Sequence, residues 1–132
     1  MIGRRTSFIS LLFTEDYDPY VGNGSMTVPT IGQTWRAWCW VYSTSANISS
    51  AGIATWQKQD EGADTFSNLA DGDDGGDVSI LVGSTSGWTG SLNKALVELT
   101  IADFSAEDYG VYRLKATGSE QTRYSALFLN NP

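Results

Sequence analysis

The chain of 132 residues has no histidine and a single cysteine, and each shortage closes off chemistry. Without histidine the commonest general base is missing, so nucleophilic triads of the Ser-His-Asp or Cys-His kind are excluded by composition. One thiol cannot form an intrachain disulfide, and with no second thiol or imidazole it cannot build a Cys-based metal site. Cations are also few: eight Lys and Arg stand against fifteen Asp and Glu, for a net charge of −7. They are scattered from Arg4 to Arg123, which argues against nucleic acid and against an anionic membrane surface as partners. No apolar run approaches the roughly 20 residues of a membrane span, so no membrane insertion by this segment is expected. The opening MIGRRTSFISLLF has the basic-then-apolar order of a signal peptide. However, FISLLF is short for an h-region, and the acidic TEDYD follows without a small-residue cleavage site. Residues 1–25 read as an N-terminal arm or first strand.

Aromatic residues are plentiful, with five Trp, six Tyr and five Phe in a chain that is 41% apolar. That length and composition suit one core and one domain, with 26–132 as its body. Period-two alternation dominates and helical periodicity is nearly absent. The strand-like runs are SFISLLF, SMTVPTIG, TWRAWCWVY, IATWQKQ, DVSILVG, KALVELTIA, YGVYRLKAT and TRYSALFLN. The Gly- and Ser-rich STSGWTGS separates two of them, and GSEQ joins the last two as a hairpin. About seven to nine short strands spaced by Gly, Ser, Asn and Asp turns predict an all-β sandwich.

Within that pattern, LTIADFSAEDYGVY resembles the strand E to strand F passage of immunoglobulin domains. Its positions are filled by Leu99, Ile101, Phe104, Asp108, Gly110 and Tyr112. Upstream, Gly32 falls seven residues before Cys39, like the glycine leading into strand B, and Trp56 falls where the strand C tryptophan is expected. The resemblance spans roughly residues 26–130 and implies a two-sheet Greek-key immunoglobulin sandwich, variable-like or intermediate-type. It also marks a departure, because the strand F cysteine position is Leu114 and the inter-sheet disulfide cannot form. Cys39 is then a buried apolar filler beside Trp56 and Leu114. The domain forgoes the roughly 2 to 4 kcal/mol that such a bridge contributes. By the same resemblance, Tyr112 makes the tyrosine corner, Gly110 fits a tight bend and Asp108 caps the turn. A variable-type domain often places an arginine near the start of strand D against the corner aspartate, and none stands near Asp77. About 40 residues separate Trp56 from the strand E motif, a length at which variable-type domains carry extra strands.

Alternation sorts the faces. With Cys39 inward, Trp35, Ala37 and Val41 are inward too, leaving Arg36, Trp38, Trp40 and Tyr42 outside. Three outer aromatics call for a cover at roughly 25 cal/mol per Å², supplied by the N-terminal arm or by a partner. The opposite sheet presents Gln57, Gln59, Arg113, Lys115, Tyr124 and Phe128, and with Lys58 it gives a basic, aromatic surface resembling the one by which variable-type domains meet proteins. The acidic run DGDDGGD (71–77) reads as a solvated loop, since Val82 stands where an EF-hand loop needs its bidentate Glu. No metal and no cofactor is expected. Asn23 and Asn47 open N-glycosylation triplets.

These features imply a non-enzymatic recognition or adhesion domain at the cell surface, extracellular and part of a larger membrane-anchored protein. Its partner is a protein: a second copy of itself, bound homophilically, or a related receptor. The resemblance extends to distal domains of invertebrate self/non-self receptors, cnidarian allorecognition receptors included, in which variable-like domains with eroded cysteines would fit. The alternative is a structural module, intracellular in a muscle or cytoskeletal chain or decorating a viral particle. A two-carboxylate glycosidase is the remaining class, and no acidic pair stands at a strand end to support it.

Overall fold

The run with the strongest alternation, TWRAWCWVY, forms the central strand of one sheet. The computed structural model describes residues 19–43, 53–89, 92–118 and 121–131. Among them the strands are β1 (Tyr20–Val21), β2 (Ser25–Met26), β3 (Trp35–Ser43), β4 (Ala54–Asp60), β5 (Ser67–Asn68), β6 (Val78–Thr89), β7 (Leu92–Ile101), β8 (Gly110–Thr117) and β9 (Thr122–Leu129). All pairings are antiparallel. The first sheet runs β1-β3-β7-β6, with β2 also on β3, and the second runs β5-β4-β8-β9. This is the two-sheet immunoglobulin-like sandwich that the sequence predicts.

Burial follows the pleat. Along β3, Trp35, Ala37, Cys39, Val41 and Ser43 are buried while the residues between them are not. On the facing sheet Trp56, Tyr112, Leu114 and Ala116 are buried, so the inner faces close a shared apolar layer. Aromatic rings fill its lower end: Trp35 lies 5.0 Å from Tyr112 and 6.1 Å from Phe104, and Phe104 meets Tyr109 edge-on at 5.1 Å. The Trp35 indole N–H donates to the Thr27 carbonyl at 3.1 Å.

One expectation is corrected. STSGWTGS does not separate strands, because β6 continues through it to Thr89, paired with β7 and interrupted by a register shift between Thr85 and Thr89. Ser and Thr at an edge satisfy a β ladder without apolar alternation, so pairing overrides a pattern that reads as a loop. The extra length after Trp56 is spent on the two-residue β5, the acidic turn and this long β6. SFISLLF lies outside the described residues.

Candidate functional site

Cys39 is 1% exposed and unpaired, as expected of a strand B cysteine without its partner. Leu114 stands opposite Trp56 in the β4–β8 register, both fully buried, in one cluster with Cys39. A polar partner that the sequence did not reveal is Ser125 on β9, the register neighbour of Leu114. Its hydroxyl accepts the Gly24 N–H at 3.1 Å and hydrogen-bonds the Cys39 thiol. Burial pushes that thiol up to about 11 and the Ser125 bond only partly opposes the shift. The neutral, enclosed sulfhydryl is therefore unsuited to nucleophilic or redox work. A Cβ on Gly24 would approach Cys39 Sγ to 3.0 Å and Leu127 to 3.3 Å, so the link between β1 and β2 closes tightly over the sulfur.

The corner behaves as predicted. The Tyr112 hydroxyl donates to the Asp108 carbonyl at 2.6 Å, and desolvation, then Asp108 and Asp60, raises its phenol well above the usual range. The Asp108 carboxylate accepts the Ser105 N–H at 2.8 Å and the Ser105 hydroxyl at 3.2 Å, capping the 3-10 turn Ala106–Asp108. Gly110 has φ +148, and a Cβ there would sit 2.5 Å from the Gln59 carbonyl. Only glycine lets β8 start this close to β4. Gly32 likewise has φ +83 and donates to the Phe104 carbonyl at 2.7 Å.

Lys58, grouped above with the outer cations, is corrected. It shares the inward register of Trp56 and Tyr112, reaching the Glu107 carbonyl at 2.6 Å and Asp60 at 2.7 Å. Its ammonium therefore caps the end of the sandwich, near the corner where a strand D arginine was missing.

The outward residues of β4, β8 and β9 converge on Arg113. Its guanidinium lies 3.7 Å from the ring centre of Phe66 and 4.1 Å from that of Tyr124. Arg113 Nε donates to Gln57 Oε1 at 2.7 Å, and Gln57 Nε2 donates to Asn68 Oδ1 at 2.8 Å. Gln57 is consequently 7% exposed and supports the arginine, while Gln59 turns aside to the Ala63 carbonyl at 3.0 Å. Lys115 is half-buried beside its register partner Tyr124. Tyr124 is 48% and Phe128 64% exposed. The structure thus brings Gln57 and Tyr124 of the six candidate residues against Arg113, sets Lys115 and Phe128 on the same outward face, and leaves Gln59 at the margin. Phe66 was missed because it lies in a polar stretch, GADTFSN, with no alternation to flag it.

On the other sheet Trp38, Trp40 and Tyr42 are half-buried. Lys94 Nζ stands 4.3 Å over Trp40, and Tyr20 tilts against Tyr42 at 5.7 Å. Of the N-terminal arm (1–25) expected to cover them, the FISLLF segment lies outside the described residues, as does Asn47, while Tyr20–Val21 pairs with β3 along its edge. Asn23 is exposed in the link between β1 and β2. In the acidic run, Asp71 accepts the Ile80 N–H and Asp73 the Ala70 N–H, at 2.9 and 2.8 Å. These carboxylates cap backbone, and among the described residues no three ligand-type side chains gather around one point.

No protein-family model matches the chain, and no curated protein matches it. Among solved structures it is similar to a twitchin kinase fragment of C. elegans, an autoregulated protein kinase with immunoglobulin domains. The TM-score is 0.58 at 22% identity, over 89% of this chain and 21% of that one. The chain thus spans about a fifth of that neighbour's length. Such a likeness shows the fold alone, which is immunoglobulin-like. Matches extend to 210 solved chains, too broad a fold to fix one function.

Proposed function

We propose that this domain is an extracellular recognition domain of a cell-surface protein, binding through the outer face of β5-β4-β8-β9, with a second copy of itself as partner. The observation that carries the reading is the guanidinium of Arg113 pinned between Phe66 and Tyr124, on the same outward face as the exposed Phe128. Rigid arginine and aromatic anchors with an apolar border are what protein interfaces concentrate at their centres. An exposed phenylalanine on a flat sheet gains from being covered, and nothing among the described residues covers it. In a self/non-self setting, the same face would distinguish a matching copy from a close variant. Bead aggregation with the displayed domain, against itself and against close variants, tests this, together with sedimentation over a wide concentration range. Clustering of like beads and a concentration-dependent dimer are expected; a strict monomer that never clusters would defeat the homophilic reading.

A structural intracellular module is the second reading, favoured by the free, buried Cys39, which needs no oxidising compartment. Glycan on Asn23 of native material would exclude it.

A further inference from the structure

The face and the acidic turn each carry an uncommitted charge. Arg113 has both planes covered and its Nε bonded, yet its two terminal nitrogens have no partner among the described residues. The chain has fifteen carboxylates, and one of them, Asp60, pairs with Lys58 at 2.7 Å. No outward residue of β4, β5, β8 or β9 is Asp or Glu, whereas Arg113 and Lys115 both point outward there. A molecule of net charge −7 therefore keeps one sheet face free of acid.

Several exposed carboxylates, Asp64, Asp103 and Glu107 among them, carry no side-chain bond among the described residues, and the one set in a run of carboxylates that cap backbone is Asp74, in the 3-10 turn Asp74–Gly76. Asp71 and Asp73 spend carboxylate oxygens on backbone N–H groups. Asp74 is exposed and its side chain is bonded to nothing among the described residues. We propose that Arg113 is the anion-reading anchor of the face, and that it takes the Asp74 carboxylate of a second copy, a step that rests on the homophilic reading above. A guanidinium already held by rings and Gln57 loses little further freedom on binding, and its free edge matches a carboxylate through two parallel hydrogen bonds. Phe66 and Tyr124 against it exclude water and strengthen the pair. In a two-fold dimer the contact occurs twice, Arg113 of each copy meeting Asp74 of the other. Repulsion between the net charges is damped beyond the roughly 8 Å screening length of physiological salt, while the direct pair is not.

Charge exchange in sedimentation equilibrium of the full chain tests this. Arg113→Asp and Asp74→Arg should each weaken self-association at least tenfold, since each homodimer then sets like charges together twice. An equimolar mixture should recover the wild-type constant, because both contacts of the mixed dimer join opposite charges. Asp74→Asn, tolerated where φ is +56, and Arg113→Lys, which keeps charge without the planar fork, should each weaken association by a smaller factor. These milder variants keep the test decisive if a reversal unfolds the domain. A wild-type dimer indifferent to all four substitutions, or reversals that the mixture fails to rescue, would overturn the Arg113–Asp74 pairing and leave homophilic binding standing. A wild type monomeric at every concentration would overturn both.

Discussion

Strand β8 carries two interleaved sets of residues that live under opposite conditions. Gly110, Tyr112, Leu114 and Ala116 face inward and are buried, whereas Val111, Arg113 and Lys115 face outward and are only partly so. In the inner set each atom has a fixed neighbour: a carbonyl 2.5 Å from the missing Cβ of Gly110, a 2.6 Å bond for the Tyr112 hydroxyl, and Trp56 beside Leu114. The outer set is equally ordered, through Phe66, Tyr124 and Gln57, but ends in unused donors and exposed Phe128. One strand thus separates the residues that hold the fold from those of the proposed contact face by a one-residue step.

Substitutions on the two sets should have different readouts. The largest loss is expected for Gly110→Ala, where the new methyl must displace the β4 backbone. Urea denaturation should show a cost of about 3 kcal/mol or more, and any folded remainder should associate with unchanged affinity. A stable Gly110→Ala protein would dissolve the contrast.

Alkali probes the same interior through sulfur. Below pH 9 the Cys39 thiol is neutral folded or unfolded; between 9 and about 11 only the unfolded chain ionises it. Stability is therefore full at neutral pH and falls by about 2 to 3 kcal/mol across that window. Cys39→Ala should lose this component, read as the difference between urea midpoints of the two proteins at pH 8 and pH 11. A wild type and variant that decline in parallel would show the thiol to be more open than its burial indicates.

The smallest stability change belongs to the outer set. Phe128→Ala should alter folding by no more than about 0.5 kcal/mol, yet weaken self-association several-fold. Equal loss in both measurements would make Phe128 part of the core and remove the border from the proposed interface.

The inner set was legible in the sequence because it obeys rules of spacing. TWRAWCWVY shows its period, and Leu99 through Tyr112 reproduce a corner whose geometry demands glycine and tyrosine at fixed steps. The outer set was half legible. Alternation put Arg113, Tyr124 and Phe128 on one face, but could not show that Gln57 is sequestered beneath the arginine or that Phe66 completes the stack. Those contacts arise where β5 and the loop before it fold onto β4, and a two-residue strand leaves no periodic trace. Lys58 was misassigned because charge suggested solvent, while its register with Trp56 turns the stem inward and lets the ammonium reach the corner. Ser125 escaped notice for a related reason: only the sandwich geometry brings β9 across to the sulfur of β3.

A Leu114 where a second sulfur would stand also frees the domain from its surroundings. With no covalent tie between the sheets, glutathione has nothing to cut. The fold should withstand dithiothreitol unchanged, and tandem copies could be synthesised without oxidative catalysts or the risk of scrambled bridges.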